Sequence, residues 1–281
     1  MNTDAAAIEN AFTVDLEDWY QGLEITPTDW GRFETRIRIG TERLLSLLET
    51  ANVKATFFVL GHVAEHHPDL VRDIHAAGHE IGTHGYAHQF VYRLGKDAFR
   101  EDLQRSLEMI DRAVGAVIGH RAPFFSITRD AEWAFEILTE CGLAYDSSVF
   151  PIRNYRYGIP DAPRWPFEPH SGLIEFPVST FLAMGHRIPL GGGAYFRIFP
   201  YVVTRYGLRQ INASGNSAIF YIHPWELDPE QPRVELPRRI GVIHYWNLDA
   251  VVGRLQRLLA DFRFTTMARL LERRQDLQQT P

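Results

Sequence analysis

The chain has 281 residues, 45% hydrophobic and 23% charged, ordinary globular values that exclude a disordered, collagen-like or disulfide-stapled chain. Its 29 Lys and Arg against 35 Asp and Glu give a net charge of −6, and no basic stripe argues for a nucleic-acid partner. With 12 His and 1 Cys, any metal site must be built from imidazoles and carboxylates, because a thiolate cluster is impossible.

Apolar residues at 12–16 predict a first strand, followed by a helix over 40–50 with Leu44, Leu45, Leu47 and Leu48 on a broad apolar face. ATFFVL at 55–60 reads as a buried strand, 69–77 as a helix closed by Gly78, and 79–83 as a third strand. The clearest helix is 96–114, where Phe99, Leu103, Leu107, Ile110 and Val114 recur at helical steps. A strand at 117–121, a helix at 129–141 and a strand at 143–147 follow. Pro151, Pro160, Pro163, Pro166 and Pro169 make 151–171 a long irregular loop, a feature that is often functional. A strand is expected over 173–180, and Gly191, Gly192 and Gly193 mark a turn with unusual backbone angles or a close approach. A helix at 201–213, a buried strand at 218–222 and a second proline-rich loop at 224–237 come next. A helix at 247–261, a strand at 262–265 and a helix at 267–274 complete the chain.

Length alone suggests two domains, yet one α/β barrel of about 250 residues fits as well. Near-strict strand–helix alternation signals a mainly parallel sheet and favours a distorted (β/α) barrel over an open doubly wound sheet. No GxGxxG or Walker loop supports a nucleotide fold. The lone Cys141 excludes an intrachain disulfide. The N-terminus has no basic residue before its first apolar run, and no window approaches about 18 apolar residues. The expected compartment is the cytoplasm, with no transmembrane segment.

Active sites of parallel barrels lie at the C-terminal ends of the strands. Five predicted strand ends carry Asp15 with Glu17 and Asp18, His84 with His88, Arg121, Asp146, and His223. Each has an ordinary reading alone: a solvated turn, a salt-bridge partner, an N-cap, a core histidine. Their joint placement on one face favours function. Of the His pairs at spacing four, His75/His79 straddles Gly78 at a helix exit, His62/His66 follows the second strand with no carboxylate but Glu65, which its turn points elsewhere, and His84/His88 follows a strand with both rings on one side. Two His and one carboxylate leave open positions on a divalent ion, the arrangement of a catalytic rather than a structural site.

The strings TVDLEDW (13–19), HGYAH (84–88), RAPF (121–124), YDSSVFP (145–151) and YIHPWE (221–226) occur in order. Together they resemble the motifs of the polysaccharide deacetylase superfamily, also called the NodB-homology domain or carbohydrate esterase family 4. The family fold is a distorted (β/α) barrel of about seven parallel strands. VDLEDWY, GHEIGTHGYAH, GGGAYFR and YIHPWELDPEQPR look like the branch associated with exosortase/PEP-CTERM exopolysaccharide loci. That resemblance implies one domain over 1–281, a motif-bearing core at about 12–226, and a loop-rich C-terminal extension from about 151 to 281.

Residue by residue, the resemblance implies Asp15 as general base, Arg121 as the group that holds it, and His223 as general acid tuned by Asp146. His84 and His88 match the metal-binding histidines. Leu16 stands where the family has its second Asp, so the carboxylate ligand is Glu17 or Asp18. Strand alternation favours Glu17, and a turn beginning there favours Asp18. Phe124 replaces a usual Tyr. Trp19, Tyr86, Phe124 and Trp225 are candidate substrate contacts, with Trp165 and Tyr195 as further stacking platforms.

The implied cofactor is one divalent ion, zinc first, with iron, cobalt, nickel and manganese as alternatives. The implied activity is removal of N-acetyl groups from amino sugars of an exopolysaccharide or its lipid-linked precursor. The implied partners are an N-acetylated glycan and the exopolysaccharide assembly machinery; the oligomeric state is not legible. The rival readings are a cyclic amide hydrolase of the allantoinase kind on the same fold and a catalytically silent glycan-binding protein.

Overall fold

Strand β1 (Glu9–Leu16) organises the molecule. Its side chains alternate across the sheet: Phe12, Val14 and Leu16 enter the largest apolar cluster, while Thr13 and Asp15 both meet Arg121. The computed structural model describes residues 8–154 and 156–279. The sequence reading of a leader-free N-terminus rests partly on 1–7, which lie outside the described residues, as does the end of the extension at 280–281.

The other strands are β2 (Thr56–Val59), β3 (Glu80–Thr83), β4 (Gly119–His120), β5 (Tyr145–Asp146), β6 (Phe167–His170), β7 (Leu173–Glu175), β8 (Thr180–Ala183), β9 (His186–Pro189), β10 (Ile219–Ile222) and β11 (Arg263–Thr265). The helices are α1 (Ile37–Thr50), α2 (Gly61–His66), α3 (Pro68–Ala76), α4 (Val91–Leu94), α5 (Lys96–Val114), α6 (Ala134–Glu140), α7 (Gly193–Ile198), α8 (Tyr201–Ala213), α9 (Arg238–Tyr245), α10 (Val251–Asp261) and α11 (Met267–Gln279).

The sheet runs β10-β1-β2-β3-β4-β5-β7-β6, with β11 also paired to β1. Every pairing in it is parallel except β6 with β7. The α/β architecture expected from the alternating pattern is therefore present. Among the described residues no strand ladder joins β7 to β10. Residues after β7 bridge the gap instead: Val178 N donates to Val149 O at 2.9 Å, and Ile219 N donates to Ser179 Oγ at 2.7 Å. The result is a distorted barrel without a complete hydrogen-bonded wall.

Helices cover the outside because each carries one apolar stripe. Leu44 and Leu48 of α1, Leu70, Val71 and Ile74 of α3, and Leu255 and Leu258 of α10 all enter the same core. Helix α5 spans two cores, giving Ile110 to that cluster and Phe99 and Leu103 to a second one with α6.

Three expectations change. The strand over 173–180 stops at Glu175; Pro177 has no N–H to continue a ladder, and the chain then forms the separate β8–β9 hairpin. The loop at 151–171 contains β6, and an unpredicted helix, α9, follows the second proline-rich loop. Helix α9 escapes a periodicity search because only His244 in it is buried, so it has no inward apolar stripe. The triple glycine does mark a close approach. Gly192 has φ +137°, and a Cβ there would lie 1.6 Å from the Tyr221 carbonyl oxygen of β10.

Candidate active site

The C-terminal ends of β1, β3, β4 and β10 deliver the site. Asp15 leaves β1 with Oδ1 2.8 Å from Arg121 Nη1, both side chains buried. All three Arg121 nitrogens are bonded: Nη1 also donates to Thr13 Oγ1 at 2.7 Å, Nε to Ser147 O at 3.1 Å and Nη2 to Ser147 Oγ at 3.0 Å. Its guanidinium lies 4.3 Å from the Phe58 ring centroid.

Two residues on, Glu17 turns into the same space. Its Oε2 stands 2.6 Å from His88 Nε2, and its Oε1 accepts from Trp225 Nε1 at 3.0 Å. A Cβ at Gly22 would lie 2.9 Å from that Oε1, so glycine leaves room for the carboxylate. Burial pushes the Glu17 carboxyl up, but His88 and His223 outweigh it and hold it well below the usual carboxylate range.

His84 follows β3. Its Nδ1 lies 2.7 Å from the Arg121 carbonyl, which only accepts, so Nδ1 carries the proton and Nε2 presents a lone pair. Burial, reinforced by His88, lowers the His84 pKa to about 4, keeping the ring neutral. His88 has φ +50°, and its Nδ1 has no hydrogen-bond partner among the described residues. Ligand atoms of Glu17, His84 and His88 all lie within 4.8 Å of one another, and all three residues are buried. Glu17 Oε2 is likewise without a hydrogen bond, because its short approach to His88 lacks the geometry of one. A buried, unsatisfied carboxylate oxygen facing two imidazoles fits a divalent cation.

Asp18 does not reach this cluster. Its Oδ2 accepts from Thr35 Oγ1, Arg36 N and Ile37 N, at 2.7, 2.9 and 3.2 Å, and its Oδ1 from Trp19 N at 2.8 Å. It ties the start of α1 to the end of β1. Of the two carboxylates left open by the sequence, Glu17 is the one placed to ligate.

His223 follows β10, with Nε2 3.9 Å from Asp15 Oδ2 and 3.7 Å from Glu17 Oε1. Its tuning partner is not Asp146. His223 Nδ1 and its backbone N donate to Glu226 Oε1 at 2.7 and 3.1 Å, and Arg197 Nε donates to Glu226 Oε2 at 2.5 Å. Burial alone would lower the His223 pKa, but Glu17, Glu226 and Asp15 raise it to about 9. Glu226 closes the YIHPWE string without an assigned role there; its spacing of three after His223 is the signal the sequence offers. Arg197, from GGGAYFR, carried none.

Asp146 belongs to a separate buried network. It accepts from His120 Nδ1 at 2.7 Å and Ser148 Oγ at 2.6 Å, and Ser148 Oγ in turn accepts from Ala122 N at 2.8 Å. Burial and the neighbouring Asp146 carboxylate push Glu175 well above the usual range, so Glu175 stays protonated beside an ionised Asp146. This network supports the backbone next to Arg121 rather than His223.

The cavity over the site measures about 190 Å³ and is walled by Phe124, Trp225, Arg156 and Ile243, among others. Phe124 and Phe125 have φ +56° and +52°, left-handed values that cost about 1–3 kcal/mol each in non-glycine residues. Packing offsets the strain: Phe124 stacks on Phe90 at 4.2 Å and meets His88 at 4.3 Å. Trp225 lines the cavity but is no free platform, since His223 and His244 stack on it at 5.2 and 4.3 Å. Its indole N–H orients Glu17 instead. Trp19 is core, packed edge-on against Tyr20 and Phe33. Tyr86 bonds Glu65 beneath the Arg105 guanidinium and does not line the cavity. Trp165 does not line it either, while Tyr195 lies behind Tyr157, which does.

The C-terminal ends of a curled parallel sheet thus gather an Asp–Arg pair, a Glu–His–His cluster and a Glu-held His. Residues 32–145 match the family model for polysaccharide deacetylase, and residues 147–272 match a domain of unknown function, DUF3473. The first half of the chain is thus similar to polysaccharide deacetylases. It is 37% identical over 98 residues to a peptidoglycan-N-acetylglucosamine deacetylase of Bacillus cereus, covering 34% of this chain and 36% of that protein. It is 32% identical over 145 residues to a peptidoglycan deacetylase of Helicobacter pylori, covering 50% and 48%. The chain thus spans about a third to a half of the length of these relatives.

Among solved structures, a Mycobacterium smegmatis chain assigned to the polysaccharide deacetylases superposes with TM-score 0.67 at 23% identity, covering 100% of this chain and 94% of that one. A family 4 carbohydrate esterase from Streptomyces lividans gives 0.52 at 15%, covering 92% and 91%. At these identities the likeness establishes the fold.

Proposed function

We propose that this protein is a metal-dependent hydrolase that removes N-acetyl groups from amino sugars of an exopolysaccharide or its lipid-linked precursor. The observation that carries the reading is the Glu17–His84–His88 cluster, flanked by the Asp15 carboxylate on one side and the His223 imidazole on the other. Glu17, His84 and His88 would hold the ion, zinc by preference, whose Lewis acidity polarises water and the acetyl carbonyl.

The chain's own groups divide the proton work. Asp15, oriented by Arg121 through Oδ1, accepts a proton from the attacking water through Oδ2. His223, with Nδ1–H committed to Glu226, points Nε2 at the reacting centre and gives its proton to the departing amine. Water adds to the acetyl carbon, the C–N bond breaks, and acetate and a free amino sugar leave. Cytoplasmic residence and association with exopolysaccharide assembly machinery belong to the same proposal.

The test is metal analysis coupled to acetate release from N-acetylglucosamine oligomers. About one ion per chain, with acetate and free amine formed in equal amounts, is expected. Ureide hydrolysis without acetate release would transfer the site to cyclic amides. Neither bound ion nor turnover on any acetylated glycan would leave a silent glycan-binding protein.

A further inference from the structure

Helix α9 forms part of the wall of the active-site cavity and turns an apolar face outward. Ile240 and Ile243 line the cavity with Leu23, and His244 is the buried residue that anchors the helix, stacked on Trp225 and donating to Gln231 Oε1 at 2.9 Å. Arg239 and Val242 share the outward face at i and i+3, Trp246 follows directly after the helix, and Ile243 sits at the edge between that face and the cavity. Val242 is 54% exposed, Ile243 46% and Trp246 55%. Arg233, Arg238 and Arg239 are exposed around the helix start, and none forms an ion pair among the described residues. Over 233–246 the only acidic residue is Glu235. This local cationic excess stands out in a chain of net charge −6.

We propose that α9 is a membrane-docking element that seats the mouth of the active site on an anionic lipid bilayer. Unpaired arginines at the start of a helix whose outer face is aliphatic and indole match the two layers of a bilayer interface: anionic headgroups, then acyl chain. Trp246 at the end of that face suits the headgroup boundary. A protein partner would fit the apolar face equally well, but it would not by itself account for Arg238 and Arg239, exposed beside it without an ion pair among the described residues. No helix of the described chain is long and apolar enough to cross a membrane, so the contact is peripheral. The aliphatic wall formed by Leu23, Ile240 and Ile243 is continuous through Ile243 with the docking face. Acceptance of a lipid-linked glycan is the consequence, and this clause rests on the deacetylase reading.

The decisive experiment is sedimentation of the full chain with vesicles of phosphatidylcholine alone and of phosphatidylcholine with phosphatidylglycerol. Binding to the anionic vesicles, weakened by salt, is expected. The double variant Val242→Ser/Trp246→Ser should bind at least about tenfold more weakly, and Arg238→Gln/Arg239→Gln should lose the preference for phosphatidylglycerol. Unchanged melting temperature and metal content in both variants would show that the fold is intact. Vesicle binding needs no turnover, so its outcome is separable from that of the deacetylase assay. Where turnover exists, Val242→Ser/Trp246→Ser should lower acetate release from a vesicle-embedded N-acetylglucosaminyl lipid and spare a soluble oligomer. Absence of vesicle binding by the wild-type chain would overturn the proposal. So would equal binding by both variants, or a dimer in solution that Val242→Ser/Trp246→Ser abolishes.

Discussion

Asp15 and Arg121 form an ion pair of 2.8 Å with neither side chain more than 3% exposed, and each nitrogen of the guanidinium also bonds Thr13 or Ser147. Such a pair is costly to break from one side, because the surviving charge stays buried. Arg121→Met should lower unfolding stability by about 3–5 kcal/mol, read from urea denaturation. Asp15→Asn should retain its ion and lose about 10²–10⁴ in kcat. Full turnover in Asp15→Asn would remove it as the base.

Glu17 and Asp18 are adjacent and should behave oppositely. Glu17→Gln should lose most bound metal, measured by elemental analysis after dialysis, because the cluster then lacks its anionic ligand. Asp18→Ala should keep its ion and lose about 1–3 kcal/mol of stability, since the donors of Trp19, Thr35, Arg36 and Ile37 lose their shared acceptor. The reverse pattern of metal loss would reassign the ligand.

Glu226→Gln should depress kcat with little change in KM or metal content, because Glu226 contacts His223 rather than the cavity contents. Asp146→Asn should chiefly reduce stability, through the His120 and Ser148 contacts it disrupts. A steady-state comparison of the two variants at equal folded fraction decides between them. A kcat loss confined to Asp146→Asn would restore Asp146 as the tuner.

His79, remote from the site, should make stability depend on pH. Burial, with Lys54 nearby, lowers its pKa to about 4 in the folded chain, and its Nδ1 accepts from Ala55 N at 3.1 Å. Between the unfolded value of about 6.5 and that folded value, the unfolded chain binds a proton that the folded chain refuses. Stability therefore falls as pH drops through this window, by up to about 1.4 kcal/mol per pH unit from this group. Urea midpoints at pH 7 and pH 5 should differ less in His79→Gln than in the wild type.

Much of this site is legible from residue order. Asp15, His84, His88, Arg121 and His223 each stand just past an apolar run of strand character, and a parallel barrel carries all such ends to one side. β1, β2, β3 and β10 are legible to within a few residues because both neighbours of each strand demand apolar, β-branched or aromatic side chains. Helix α9 was invisible for the opposite reason, since its apolar residues face outward rather than into a core.

The residue order by itself determined the inventory of chemical groups and the end of the barrel on which they gather. Tertiary structure decided their partners. Asp18 is claimed by the start of α1, which frees Glu17 as the carboxylate in the cluster. Asp146 is claimed by His120 and the protonated Glu175, which leaves His223 to Glu226 and, behind it, Arg197. Trp225 is sandwiched between two imidazoles, so its indole N–H steers Glu17 instead of offering a sugar platform. Local pattern encodes which face a side chain takes. Which of two neighbouring carboxylates is left free depends on donors that arrive from elsewhere in the chain, and only packing brings those donors into place.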